Sequence, residues 1–214
     1  MATMSRVLPF AALRESTGLP DRVLARLLQS PGALGRSLVR LGLVAAGYAG
    51  SVLLLGAGGG SPGIEPWLRI PKEDYFYWEA AFIAPVIVGA ALVAAVVAYL
   101  LAKALGGRGD FDTTLSAIAC ATAVATLFTL VPDFLEGALT TVGAFDGARW
   151  AEALTRLSAP FLFLWTYIAL YAVAFLMLYP AAVRMAQGMR GLTALTAGWA
   201  AFAVYQGILF IFVR

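Results

Sequence analysis

The chain has 214 residues, of which 61% are hydrophobic and 13% are charged, whereas soluble domains contain about 25% charged residues. Its net charge of +3 is too small to indicate nucleic-acid binding. Histidine is absent and Cys120 is the only cysteine, which excludes His-dependent triads, an intrachain disulfide and the usual zinc, haem or iron–sulfur ligand sets. We therefore expect no cofactor, no metal site and no catalytic residue.

Five stretches without an ionisable residue account for the low charge. About 20 apolar residues in a helix cross the hydrocarbon layer of a membrane. Four of the stretches reach this length alone, and the first does so with its flanking residues. The sequence therefore predicts an all-α polytopic membrane protein with five transmembrane helices, at about 37–57, 80–104, 113–132, 157–182 and 191–213.

The first 30 residues are predicted to form a cytoplasmic amphipathic segment, 1–30, before a single transmembrane domain, 31–214. Pro20 and Asp21 favour a helix start, because proline is tolerated in the first turn and an acid stabilises the positive helix end. An apolar stripe follows at Val23, Leu24, Leu27 and Leu28. Such a helix can lie in the headgroup layer or pack on the ends of the spans, and the sequence leaves both readings open.

The first span is the expected insertion signal, because no apolar run before it is long enough for a cleavable signal core. Gly42, Ala46 and Gly50 recur every four residues, so they share one helix face where another backbone can approach closely. The abundance of Gly and Ala in the chain is the alternative explanation. In the following loop, Trp67 and residues 75–78 are predicted to form an aromatic belt at the headgroup boundary.

The connection between the second and third spans is glycine-rich. Gly106, Gly107 and Gly109 permit a tight turn, and either Asp112 or Asp110 is predicted to cap the third helix. No strand precedes these glycines, so they do not indicate a phosphate-binding loop.

The third span is rich in small polar side chains and is therefore predicted to lie inside the bundle, away from lipid. Pro132 is predicted to end it. Residues 133–142 show apolar residues at helical spacing and are predicted to form a short helix on the outer surface.

The last two spans contain few polar side chains. Pro180 is predicted to mark the cytoplasmic end of the fourth span. Gln206, in the fifth, is the most polar side chain within any predicted span. We expect it to form an interhelical hydrogen bond and not to serve transport.

The distribution of Lys and Arg predicts the orientation, because basic residues are retained on the cytoplasmic side. The N-terminal segment and the second and fourth loops together contain twice as many basic residues as the opposite side. We expect a cell-membrane protein with its N-terminus in the cytoplasm and its C-terminus outside.

Two stretches have a distinctive pattern: the aromatic segment 70–79 with Pro85 after it, and the segment 100–111 with its GGRG turn. They resemble the Yip (Ypt/Rab-interacting protein) domain family, in its bacterial and archaeal branch. The resemblance covers about residues 30–213 and implies five spans, a cytoplasmic N-terminal segment and no enzymatic activity. Eukaryotic members bind prenylated Rab-type GTPases, but the chain lacks their Asp-Leu-Tyr-Gly-Pro motif, so the resemblance does not extend to Rab binding.

These observations favour a non-enzymatic membrane-organising or adaptor protein of Yip type. Its expected partners are the lipid bilayer and a protein partner or second copy of unknown identity. A small transporter, channel or lipid-moving protein is the alternative, although spans without ionisable groups disfavour ion-coupled transport. A less favoured hypothesis is an enzyme in which acids of the outer side gather at one rim, namely Glu79, Asp133, Glu136 and Glu152.

Overall fold

The computed structural model of the protein describes residues 19–28, 32–60, 67–144 and 159–213. Within these ranges every regular element is an α-helix, and no strand is formed. The helices are α1 (Leu19–Leu28), α2 (Ala33–Ala57), α3 (Tyr75–Ala104), α4 (Phe111–Thr141), α5 (Ala159–Gln187) and α6 (Gly191–Phe212). The predicted all-α fold is confirmed.

Five of these helices, α2 to α6, are long and apolar enough to cross a membrane, over 22 to 31 residues each. Large apolar side chains are exposed on all five, including Leu43, Val96, Phe128, Val173 and Leu192. Lipid is the solvent in which such a surface is stable. The predicted number of spans therefore agrees with the structure, which is consistent with an integral membrane protein.

Helix α4 does not end at Pro132, so the prediction of a separate outer helix over 133–142 is wrong. The helix continues to Thr141 although proline removes one backbone hydrogen bond. Packing against α2 compensates: Thr141 donates to the Leu54 carbonyl at 3.1 Å. A Cβ atom on Gly137 would lie 2.9 Å from Leu54 Cβ, so the two helices are in close contact there.

Helix α5 likewise continues past Pro180, to Gln187. The residues after Pro180 are buried up to Val183, so tertiary packing supports these two extra turns. Gly198 on α6 makes the closest approach, since a Cβ atom there would lie 2.5 Å from Pro180 Cα. The predicted end of the fourth span at residue 182 is therefore about one turn too early.

The chain divides into two compact units, to which each of the five long helices contributes residues. Among the described residues, the first unit comprises 19–41, 90–124 and 175–205, and the second unit comprises 42–89, 125–174 and 206–213.

The first unit is built around small side chains of α4 and an aromatic group from α5 and α6. Alanines such as Ala117 and Ala121 are fully buried, and 72% of the most apolar part of α4 is buried, compared with at most 39% in the other spans. The prediction of an interior third span is confirmed. The aromatic rings have centroids 5.2–6.0 Å apart and belong to Phe175, Tyr179, Phe202 and Tyr205.

The second unit places part of the predicted aromatic belt in its core. Tyr75 is fully buried and donates a hydrogen bond to the Phe212 carbonyl at 2.9 Å, and Phe76 packs beside it. Trp67 and Trp78 remain exposed, as a position at the headgroup boundary requires. The burial of Tyr75 and Phe76 contradicts the belt prediction for these two residues, and for Trp67 and Trp78 it stays a prediction.

Candidate functional site

The glycine turn after α3 packs against the end of α5 in the first unit. Gly106 adopts a φ of 91°, which side-chain-bearing residues rarely adopt. A Cβ atom on Gly107 would lie 2.8 Å from Gln187 Oε1, and one on Gly109 would collide with the Ala186 carbonyl oxygen. The backbone N–H of Arg108 donates to the Gln187 carbonyl at 3.0 Å. The turn therefore needs glycine both for its conformation and for its close packing.

Of the two candidate caps of α4, Asp110 is the one used. Its Oδ1 accepts a hydrogen bond from the Thr113 N–H at 2.8 Å, and the Thr114 hydroxyl donates to its carbonyl at 2.8 Å. Asp112 is exposed in the first turn of the helix, where its negative charge interacts favourably with the positive end of the helix dipole.

The predicted small-residue face of the first span makes fewer close contacts than expected. Ala46 is exposed, and no atom lies within 4 Å of a Cβ placed on Gly42. A Cβ atom placed on Gly50 would lie 3.6 Å from the ring of Phe134, and one on the neighbouring Gly47 would lie 3.4 Å from Leu130. The face that packs on α4 is therefore rotated away from Gly42 and Ala46.

Gln206 forms an interhelical hydrogen bond of the kind expected. The hydroxyl of Tyr171 on α5 donates to its Oε1 at 3.0 Å in the second unit. The same helix presents Tyr167 one turn earlier.

Helix α1 packs on the first unit through both apolar and charged side chains. Leu24 and Leu28 are buried, and Asp21, only 2% exposed, forms an ion pair with Arg184. Arg40 of α2 donates to the Leu27 carbonyl at 3.3 Å. Of the two readings of this helix, the structure therefore supports packing on the protein.

The first unit exposes more basic than acidic side chains among its described residues. Its exposed basic side chains are Arg22, Arg26, Arg36, Lys103, Arg108 and Arg190. The described acids of this unit are fewer: Asp21 is buried in its ion pair, and Asp110 and Asp112 flank the start of α4. We call this set of exposed basic residues the basic face.

An acid pair lies in the second unit, formed by Glu79, which is buried, and Asp133, which is partly exposed. Glu79 on α3 is 1% exposed, and its Oε2 atom has no hydrogen-bond partner among the described residues. Asp133 on α4 accepts a hydrogen bond from the Tyr167 hydroxyl at 3.0 Å through Oδ1, while its buried Oδ2 lacks a described partner. Three helices thus contribute to one polar group within apolar surroundings.

The acid pair has no basic counter-ion within the part of the chain that the structure describes. The two carboxyl groups interact electrostatically with each other, and Asp133 also interacts with Glu136. Tyr48 on α2 interacts with both members of the pair. Neither carboxyl forms an ion pair with a described Lys or Arg. Burial of unpaired carboxylates costs several kcal/mol each, so a positively charged group is needed to stabilise them when ionised.

Two of the sequence-based expectations concern these acids. Helices α3 and α4 extend beyond the predicted spans, so they include Glu79, Asp133 and Glu136, which the sequence placed outside the spans. The predicted gathering of acids holds for Glu79, Asp133 and Glu136, which interact electrostatically, whereas Glu152 lies outside the described residues. In the described ranges no group of three or more Asp, Glu, Cys or His residues is suited to a metal ion.

An apolar groove of about 380 Å³ lies beside the acid pair, between α4 and α5 in the second unit. Its walls include Leu127, Phe128 and Val131 of α4 and Leu170 of α5. The ring of Tyr167, whose hydroxyl contacts Asp133, also lines it. The groove and the acid pair therefore share one side chain.

No family model matches this chain, and neither the curated proteins nor the solved structures include one that is significantly similar to it.

Proposed function

We propose that the chain is a non-enzymatic integral membrane protein of Yip type that organises the membrane as an adaptor or scaffold. The observation on which this rests is the packing of α1, which buries Leu24 and Leu28 and leaves Arg22 and Arg26 on the basic face. The expected ligand of this face is an anionic lipid surface. A protein partner or second copy would assemble on the membrane-embedded helices.

Electrostatics supports a role for the basic face at a membrane surface. Each basic residue near an anionic leaflet contributes about 1 kcal/mol to binding. Because the ion pair between Asp21 and Arg184 holds α1 on the protein, binding does not have to order the helix itself. The same excess of basic residues supports placing the N-terminus and the basic face in the cytoplasm, with the C-terminus outside.

Vesicle capture tests this proposal. The protein is reconstituted in phosphatidylcholine liposomes, and capture of separate vesicles with anionic lipid is measured. The double substitution Arg22→Gln and Arg26→Gln should weaken capture roughly tenfold or more, since two contributions of about 1 kcal/mol are lost. Arg69→Gln, on an exposed residue of the second unit, is the matched control. Capture that is equal for both variants and the unchanged protein contradicts the proposal.

The acid pair favours the alternative function, a small transporter, channel or lipid-moving protein. Ionisable residues inside spanning helices are costly and commonly mark a substrate or ion pathway. Proteoliposome assays of ion flux and of lipid transfer between leaflets distinguish this alternative. Flux or transfer that is abolished by Glu79→Gln but retained in Glu73→Gln would support it, since Glu73 is exposed. Absence of both activities in the unchanged protein would exclude it.

A further inference from the structure

We infer that the acid pair and the apolar groove together form a binding site for a membrane lipid whose headgroup bears a primary amine. The acyl chain lies in the groove between α4 and α5, and the ammonium group faces Asp133. This inference does not depend on the proposed scaffold role, because a scaffold needs no headgroup-selective site.

The groove fits a hydrocarbon chain. It is open, its volume is about 380 Å³, and its walls are almost entirely apolar. Leu127, Phe128, Val131 and Leu170 are all large apolar residues that remain exposed in the protein. An acyl chain would cover them and gain the dispersion contacts that an unfilled groove lacks.

The acid pair supplies the charge selectivity. The buried oxygens Glu79 Oε2 and Asp133 Oδ2 have no hydrogen-bond partner among the described residues, and the Glu79 side chain is only 1% exposed. No described Lys or Arg pairs with either carboxyl, so a cationic headgroup is favoured because it stabilises the ionised carboxylates. A primary ammonium also has three N–H donors, whereas a choline group has none. The unpartnered acceptors therefore favour the amine.

Tyr167 connects the two parts of the site. Its ring lines the groove, while its hydroxyl donates to Asp133 Oδ1 at 3.0 Å. Neither acid lines the groove itself, so an amine at its edge reaches Asp133 past the Tyr167 ring. Asp133 is partly exposed, although its Oδ2 atom is buried, whereas Glu79 is almost completely buried. We therefore assign Asp133 as the direct acceptor, with Glu79 adding to the negative potential.

The depth of the site agrees with that of a lipid headgroup. Asp133 lies eight residues before the end of α4, which is about 12 Å along the helix. A helix of 31 residues extends about 46 Å, so a centred hydrocarbon layer of about 30 Å ends within about 4 Å of Asp133. Leu127 is about 9 Å deeper, in the direction that an acyl chain takes.

Lipid titration of the full chain tests this inference. Binding to the purified protein in detergent is followed by native mass spectrometry, with phosphatidylethanolamine, its N-methyl and N,N-dimethyl forms, and phosphatidylcholine of identical acyl chains. We expect affinity to fall stepwise with each methyl group, by about tenfold over the series, because N–H donors are lost while the charge is retained. Equal affinity across the series overturns the inference.

Isosteric variants separate the two parts of the site. Asp133→Asn and Glu79→Gln should abolish the preference for the amine. Leu170→Trp should weaken the binding of all four lipids, because the larger side chain fills the groove. Glu73→Gln, an exposed acid of the same unit, is the matched control and should change nothing. A preference that persists in Asp133→Asn contradicts the inference. Stabilisation of the protein by sodium ions, without any preference among the lipids, also contradicts the inference, since the acid pair would then bind a bare cation.

Discussion

At the scale of single residues, the turn after α3 shows two separate needs for glycine. Gly106 needs it for a left-handed backbone, and Gly109 needs it because the Ala186 carbonyl occupies the space of a side chain. The sequence predicted the turn from its glycines and acids. It did not predict the contact with α5, because residues almost 80 positions apart leave no local pattern.

Gly109→Ala should destabilise the protein by about 2 kcal/mol, since overpacking against rigid backbone costs this much. The expected change is a lower thermal unfolding midpoint in detergent, by roughly 5 °C. Gly89→Ala is the control, because no atom lies within 4 Å of a Cβ placed there and alanine favours a helix. Equal midpoints for both variants would show that the turn does not pack on α5 as described.

The acid pair could not be fully recognised from the sequence. Glu79 and Asp133 flank the uncharged stretches, so span limits drawn by charge placed both in loops. The sequence indicated that these acids could lie close together. Their burial, however, depends on helices that extend past Pro132 and before residue 80. The unpartnered oxygens are a property of tertiary packing alone.

At the scale of elements, prolines marked helix ends poorly in this chain. Pro132 and Pro180 both lie inside helices, because contacts with neighbouring helices outweigh the lost hydrogen bond. Apolar run length predicted the existence of each span well. The limits of the spans depended on residues beyond those runs.

The ion pair between Asp21 and Arg184 should hold α1 in place. Arg184→Gln leaves a buried carboxylate without its cation, at a cost of about 2 kcal/mol, because hydrogen bonds to charged groups are the stronger ones. We expect faster proteolysis within α1 and little change elsewhere. The double variant Asp21→Asn and Arg184→Gln should recover part of the protection. An unchanged cleavage rate in Arg184→Gln would contradict this role, and Arg26→Gln, on an exposed residue, serves as the control.

At the scale of the whole molecule, five apolar helices and an uneven distribution of charge define the proposed arrangement in the membrane. In this proposed arrangement, five spans would place the segment before α2 and the end of α6 on opposite sides. The basic face of the first unit favours the cytoplasm for α1. The proposed scaffold role depends on this arrangement, since the basic face must meet an anionic leaflet.

Thiol labelling in intact cells tests this arrangement most directly. Cys120→Ser removes the native thiol, and Arg26→Cys or Val213→Cys then introduces one thiol on either side of the spans. A membrane-impermeant maleimide should label the Val213→Cys protein in intact cells and the Arg26→Cys protein only after permeabilisation. Labelling of both proteins from the same side would contradict a five-span arrangement.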